Sequence, residues 1–153
     1  HIEWDVTYQP GKLVAIGYKN GKKVKMEMVE TTGKATAIAL SADRDMIKAD
    51  NADVAVVTVA LKDKKGRVVP TACHQLTLHL DGDMRILGVG NGDPACKDAE
   101  RPTDANAKDF TVKAFNGYAR IFLQSGKKTG ENTLSVTADG MKEKRIFISC
   151  EGN

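Results

Sequence analysis

Several absences narrow what this chain can be. No apolar run approaches the roughly 20 residues a helix needs to cross a bilayer, so the chain is expected to be soluble, with no membrane partner. Amphipathic helical periodicity sustained over ten or more residues is also missing. Cysteine is scarce: Cys73, Cys96 and Cys150 cannot all pair within one chain, and they show neither CxxC nor zinc-type Cys/His spacing. Buried free thiols are the expectation, and His74 beside Cys73 is too little for a metal site. No charge of one sign dominates, with Lys plus Arg at 23, Asp plus Glu at 20 and a net of +3. The densest basic group, Lys22, Lys23 and Lys25, is followed at once by Glu27 and Glu30, so the clustered positive stripe of a nucleic-acid partner is lacking. Aromatics are few, at 5% of residues, and mostly sit at strand positions suited to a core.

What is present suits an ordinary folded domain. The 153 residues can bury a real core, and the apolar (41%) and charged (28%) fractions are near globular averages. The opening "HIEWDV" has neither initiator Met nor signal peptide and reads as a piece of something longer.

Strand signals recur almost throughout. Trp4 to Tyr8 alternates, Pro10-Gly11 turns the chain, and Asn20-Gly21 between two extended runs is a hairpin signal, because both central residues of a type I′ turn need positive φ. Strands are expected at Thr36–Leu40, Asp53–Asp63, Leu76–Leu80 and Met84–Val89, with Asp81-Gly82 as a hairpin turn. Three more follow at Gly117–Leu123, Asn132–Ala138 and Met141–Cys150. The stretch Asp53–Asp63 is apolar on both faces at its centre, as in a strand covered on both sides. Residues 91–108, polar and with two prolines, read as an exposed loop. Seven short, turn-punctuated strands from residue 34 to the end predict an all-β, immunoglobulin-like β-sandwich. Residues 1–33 supply about three further strands, too few to bury a core unaided. The division expected is therefore 1–33, the remnant of a preceding small module, and 34–153, the sandwich.

The stretch "ILGVGNGDP" (86–94) poses the sharpest chemical question. Gly88, Gly90 and Gly92 after an apolar run suggest a phosphate-cradling loop, but Asp93 stands where the third glycine of a dinucleotide fingerprint would be. Two nearby prolines also prevent the helix whose N-terminus such a loop needs. The residue types suit a turn instead: Gly88, Gly90 and Gly92 permit unusual backbone angles, and Asn91 and Asp93 bond back to the main chain. Positive φ is expected at Gly90 or Gly92. The acids Asp43, Asp45, Asp50 and Asp53, and the pair Asp81 and Asp83, lack the donor spacing of an EF-hand and read as solvated loops. Neither a serine nucleophile elbow nor an HExxH motif occurs. Trp4, Tyr8, Tyr18 and Tyr118 are candidates for stacking on a sugar face, with core packing the competing reading.

The order of residues resembles the C-terminal accessory region of bacterial β-galactosidases of glycoside hydrolase family two. Trp4, Tyr8, Pro10-Gly11, Tyr18, Asn20-Gly21 and the "TTG" ending at Gly33 are similar to the end of one small immunoglobulin-like module. "IALSADR", Asp50, Asp53, "DKKGRVVP", "GVGNGDP", "FNGYARIFLQS" and "GENTLSV" are similar to the final module. Asn51 departs by standing where a glycine is usual, a mild change because Asn tolerates positive φ. The resemblance implies a parent enzyme whose catalytic glutamates lie on a (β/α)₈ barrel, so no catalytic residue, cofactor or metal ligand maps onto this chain. The motif residues Gly90 to Pro94 and Phe115-Asn116-Gly117 are expected to be structural. The implied role is a non-catalytic accessory domain whose partners are the catalytic barrel and other domains of the parent chain. A carbohydrate-binding module and a cell-surface adhesion domain are the alternatives. Pairing of exposed strand edges into a dimer is a further expectation, and the resemblance alone implies a periplasmic or extracellular bacterial location.

Overall fold

A computed structural model describes residues 3–152. The chain divides into two compact units, His1–Gly33 and Lys34–Asn153.

In the first unit, β1 (Lys12–Lys19) and β2 (Lys22–Glu30) form an antiparallel ribbon turning at Asn20-Gly21. Both turn residues have positive φ, 51° and 73°, as the Asn-Gly signal predicts. Trp4 to Tyr8, expected as a strand, is irregular, so this unit has two strands among the described residues. Alternation alone cannot make a strand where no neighbouring backbone is available to pair with it.

The second unit is an all-β sandwich. Its strands are β3 (Ala37–Ala42), β4 (Met46–Lys48), β5 (Val54–Lys62), β6 (Gln75–Asp81), β7 (Arg85–Gly90), β8 (Asp109–Lys113), β9 (Tyr118–Gln124), β10 (Gly130–Ala138) and β11 (Lys144–Glu151). A five-stranded sheet runs β4-β11-β10-β6-β8 and a four-stranded sheet runs β3-β5-β9-β7. Strand β4 joins β11 in parallel, and the other named pairs are antiparallel. Inward positions alternate along each strand, as in Val57, Val59 and Leu61 of β5 against Leu76, Leu78 and Leu80 of β6, and the two apolar faces close on one core.

Four differences from the sequence reading have physical causes. Strands β4 and β8 were not anticipated: β4 is three residues inside an acid-rich stretch, and β8, "DFTVK", carries one buried residue, Val112, so neither shows a long alternating signal. Asp81-Gly82 is not a hairpin turn, because β6 pairs with β10 and β8 whereas β7 pairs with β9. The chain crosses there between sheets. Asn132 of β10 holds the crossing, its Oδ1 accepting from the amides of Asp83 (2.7 Å) and Met84 (3.1 Å). Gly82 leaves room for this, since a Cβ there would lie 2.2 Å from Asn132 Oδ1. None of the eight aromatics belongs to the buried core, which is built from Leu, Ile, Val, Ala, Met84 and Cys150. Finally, only Cys150 of the three free cysteines is buried; Cys73 and Cys96 are exposed on irregular segments where no apolar stripe draws them inward.

Candidate functional site

The candidate site follows from the alternation of β9. Ala119, Ile121 and Leu123 are buried, so Tyr118, Arg120, Phe122 and Gln124 point to the outer face of the four-stranded sheet. Residues paired across antiparallel strands share a face. The register therefore sets Val56, Phe122 and Gly88 in one row, Thr58, Arg120 and Gly90 in the next, and Ala39, Ala60 and Tyr118 in a third. Gly88 and Gly90 put no side chain beside Phe122 and Arg120. Tyr118 is 45% exposed and Phe122 half-buried, on a floor of alanine and glycine. One end of the stripe is fixed by Gln124, whose Oε1 accepts from Arg85 Nε (2.8 Å) and Nη2 (2.5 Å) while its Nε2 donates to the Asn51 carbonyl (2.8 Å). Asn51 has φ 63°, so the residue standing in the glycine position does adopt the left-handed region.

The opposite outer face, on the five-stranded sheet, is different. It presents Gln75, Thr77 and His79 of β6 beside Thr133, Ser135 and Thr137 of β10, a polar surface suited to water. His79 Nδ1 lies 2.7 Å from Asp109 Oδ1, both largely exposed. Phe147 of β11 and Met46 of β4 are the apolar exceptions, 52% and 51% exposed.

The glycine loop folds as a turn. Gly92 has φ 78°, whereas Gly90 takes an ordinary angle with open space around it. Asn91 Oδ1 accepts from the Asp93 amide (2.9 Å), Asp93 Oδ1 from the Ala95 amide (2.9 Å), and Asn91 Nδ2 donates to the Lys113 carbonyl (2.9 Å). Pro94 follows on the surface. The shallow hollow here, of about 280 Å³, is rimmed by Asp93, Asp98 and Glu100, a charge that repels phosphate.

The acids are structural too, and they are wired rather than merely solvated. Asp50 Oδ1 accepts from the amides of Asp53 (2.8 Å) and Ala52 (2.9 Å), and these bonds hold its carboxyl below the usual value. Asp53 is lowered chiefly by the Lys48 amide (3.0 Å), helped by Arg44, whose Nη1 lies 3.2 Å from Asp53 Oδ1. Asp83 is lowered chiefly by the Lys128 amide (2.8 Å). Asp63, buried, closes the "DKKGR" turn by accepting from Arg67 Nε (2.9 Å) and Nη2 (2.6 Å). Each of these carboxylates serves a local backbone or turn. Among the described residues no group of three or more His, Cys, Asp or Glu could hold a metal ion.

Of the sequence candidates, the structure sets Tyr118, Gly88 and Gly90 on one face and Asn91 to Pro94 just beyond its edge. Trp4, Tyr8 and Tyr18 belong to the first unit and are exposed, at 71%, 75% and 66%. Sequence reasoning missed Arg120, Phe122, Gln124 and Arg85. The signal was available for Arg120, Phe122 and Gln124 in "YARIFLQ", whose alternation places them opposite the core, and in the two-faced apolarity of β5, whereas Arg85 joins them only through the pairing of β7 with β9.

Comparison with known proteins places this arrangement. The family model described as glycoside hydrolase family 2 C-terminal domain 5 matches residues 38–147. The chain belongs to these C-terminal domains. A second model, described only as a domain of unknown function, matches residues 1–25. The β-galactosidase BoGH2A of Bacteroides ovatus is 32% identical over 151 residues, covering 99% of this chain and 17% of that protein. A β-glucuronidase of Formosa agariphila is 24% identical, covering 94% of this chain and 14% of the relative. In a solved glycosyl hydrolase family 2 member from Bacteroides cellulosilyticus, the matching region superposes with a TM-score of 0.85 at 30% identity, covering 97% of this chain and 18% of that one. The chain thus spans less than a fifth of these relatives' length. It is a glycoside hydrolase family 2 C-terminal domain with the all-β fold its strand pattern predicts.

Proposed function

We propose that this chain is a non-catalytic accessory domain that gives interdomain support within a β-galactosidase-like glycoside hydrolase. One observation carries the reading: a complete sandwich and a ribbon account for the described residues, whereas the catalytic (β/α)₈ barrel expected of the parent takes about 250 residues of its own. The catalytic barrel and other domains of the parent chain are then its partners, and a periplasmic or extracellular location goes with that reading. Relatives carry both β-galactosidase and β-glucuronidase names, so the sugar is a matter for the barrel. Purified 153-residue chain is expected to leave chromogenic β-galactosides and β-glucuronides intact; turnover that survives repurification would defeat the proposal.

A second reading is favoured by one feature, the half-exposed Tyr118 ring beside Arg120 on a flat floor, a setting on which a sugar face can stack. Calorimetric titration with galacto-oligosaccharides separates the two. Affinity weaker than millimolar fits the accessory role, and a tighter site abolished by Tyr118→Ala establishes a carbohydrate-binding module.

A further inference from the structure

The two outer faces of the sandwich are chemically unlike, and the difference asks what each one meets. On the five-stranded sheet the outward positions of β6 and β10 are threonine, serine, glutamine, histidine and acids. On the four-stranded sheet the outward positions include Val54, Val56 and Ala60 of β5, with Ala37 and Ala39 of β3. A strand that is apolar on both faces is the pattern of a sheet covered on both sides. The outward stripe Tyr118-Arg120-Phe122, exposed at its first two residues and half-buried at Phe122, has the aromatic and arginine composition that dominates protein interfaces.

We infer that the outer face of the four-stranded sheet, centred on Tyr118, Arg120 and Phe122, docks another domain of the same longer polypeptide, one that presents a carboxylate to Arg120. This rests on the accessory-domain reading and names its surface. Charge identifies the occupant: the strand positions of this face carry Lys62, Arg85 and Arg120, and the one acid at its margin, Asp43 just past β3, is already taken up by the Val56 amide (2.7 Å) and Arg44. Gln124 already engages Arg85, whereas the Arg120 side chain makes no hydrogen bond or ion pair among the described residues. A second copy docking by two-fold symmetry would set this cationic patch against itself. A glycan would lay hydroxyls over the half-buried side chains of Val54, Val56 and Ala60, which offer them no partner. The relatives extend for more than four-fifths of their length beyond the matched region, so covering domains of the same chain are at hand. Gly90 leaves open space beside Arg120 for the docked surface, whereas Gly88 is required by the chain itself, since a Cβ there would meet the Glu100 carbonyl oxygen at 3.1 Å.

Hydroxyl-radical labelling read by mass spectrometry tests this, comparing the 153-residue chain with the full-length polypeptide that carries it. The expected result is about tenfold less oxidation of Tyr118 in the full-length protein, as for a ring in a water-excluding interface, with Phe147 on the opposite face as the reference. Arg120→Glu in the full-length protein is expected to restore labelling at Tyr118. Equal labelling in the two proteins overturns the inference. So does protection within the 153-residue chain that grows with its concentration, which would mean a second copy, or that appears on adding galacto-oligosaccharide, which would mean a glycan site. Tyr118 remaining protected in Arg120→Glu overturns the carboxylate contact. The accessory reading fails separately, on galactoside hydrolysis by the 153-residue chain, a result on which the labelling does not depend.

Discussion

Replacing Asn132 with alanine tests whether one buried amide holds the two sheets in register at the crossing between β6 and β7. Its Oδ1 accepts from the amides of Asp83 and Met84, and its Nδ2 donates to the carbonyls of Gly130 (3.2 Å) and Ile148 (3.3 Å). The side chain is buried, at 3% exposure. Truncation leaves the buried Met84 amide without a partner, at a cost of about 1–3 kcal/mol. The half-buried Asp83 amide and the small cavity add to this, giving about 3 kcal/mol in all. For a domain of this size each kcal/mol moves the melting temperature by roughly 3–5 °C, so a fall of about 10 °C is expected by calorimetry. Thr133→Ala, at the adjacent outward position, serves as the control and is expected to change stability by no more than about 0.5 kcal/mol. Equal effects of the two substitutions would refute the reasoning, because the crossing would then not depend on the Asn132 amide.

Other expectations follow from particular residues. Gly117→Ala places a Cβ 2.5 Å from the Val69 carbonyl oxygen at φ 80° and is expected to cost about 2 kcal/mol or more in denaturant unfolding. Gly90→Ala meets nothing within 4 Å at an ordinary φ and is expected to change stability by less than about 0.5 kcal/mol. Asp50, Asp53 and Asp83 are lowered from the ordinary value of 3.8, so each binds its proton less readily folded than unfolded. Their contribution is complete above that value and is lost as pH falls below it toward the native pKa; Asp50→Asn should therefore flatten the acid limb of a stability-against-pH curve. Burial pushes the Cys150 thiol up, so a thiol-reactive chromophore should titrate two cysteines, Cys73 and Cys96, in the native protein and all three in denaturant.

Much of this fold was legible because its signals are local. Asn20-Gly21 demands positive φ and received it, and "LTLHL" could bury leucines only by facing one way. What escaped was decided by partners distant in sequence. Strand β4 exists because Ser149 to Glu151 of β11 offers it an edge, and β8 because β6 does. Asp81-Gly82 has the composition of a hairpin, but it passes between sheets because β6 finds its partners in β10 and β8 and β7 in β9, and Asn132, some fifty residues away, ties the crossing down. The aromatics were read as core because large apolar rings usually are; the leucine, isoleucine and valine of nine strands filled the interior first. The site divided in the same way. Tyr118 and the glycines were evident as residue types, but their meeting on one face required the register of β9 against β7.

The proposed accessory role means that this domain supports the parent enzyme's architecture and takes no part in its chemistry. Deleting residues 34–153 from the full-length polypeptide tests it most directly, with the melting temperature of the remainder and the KM for a small chromogenic galactoside both measured. An accessory domain gives a lowered melting temperature and an unchanged KM on its removal. An unchanged melting temperature, with activity lost or impaired only on polymeric glycans, would contradict it.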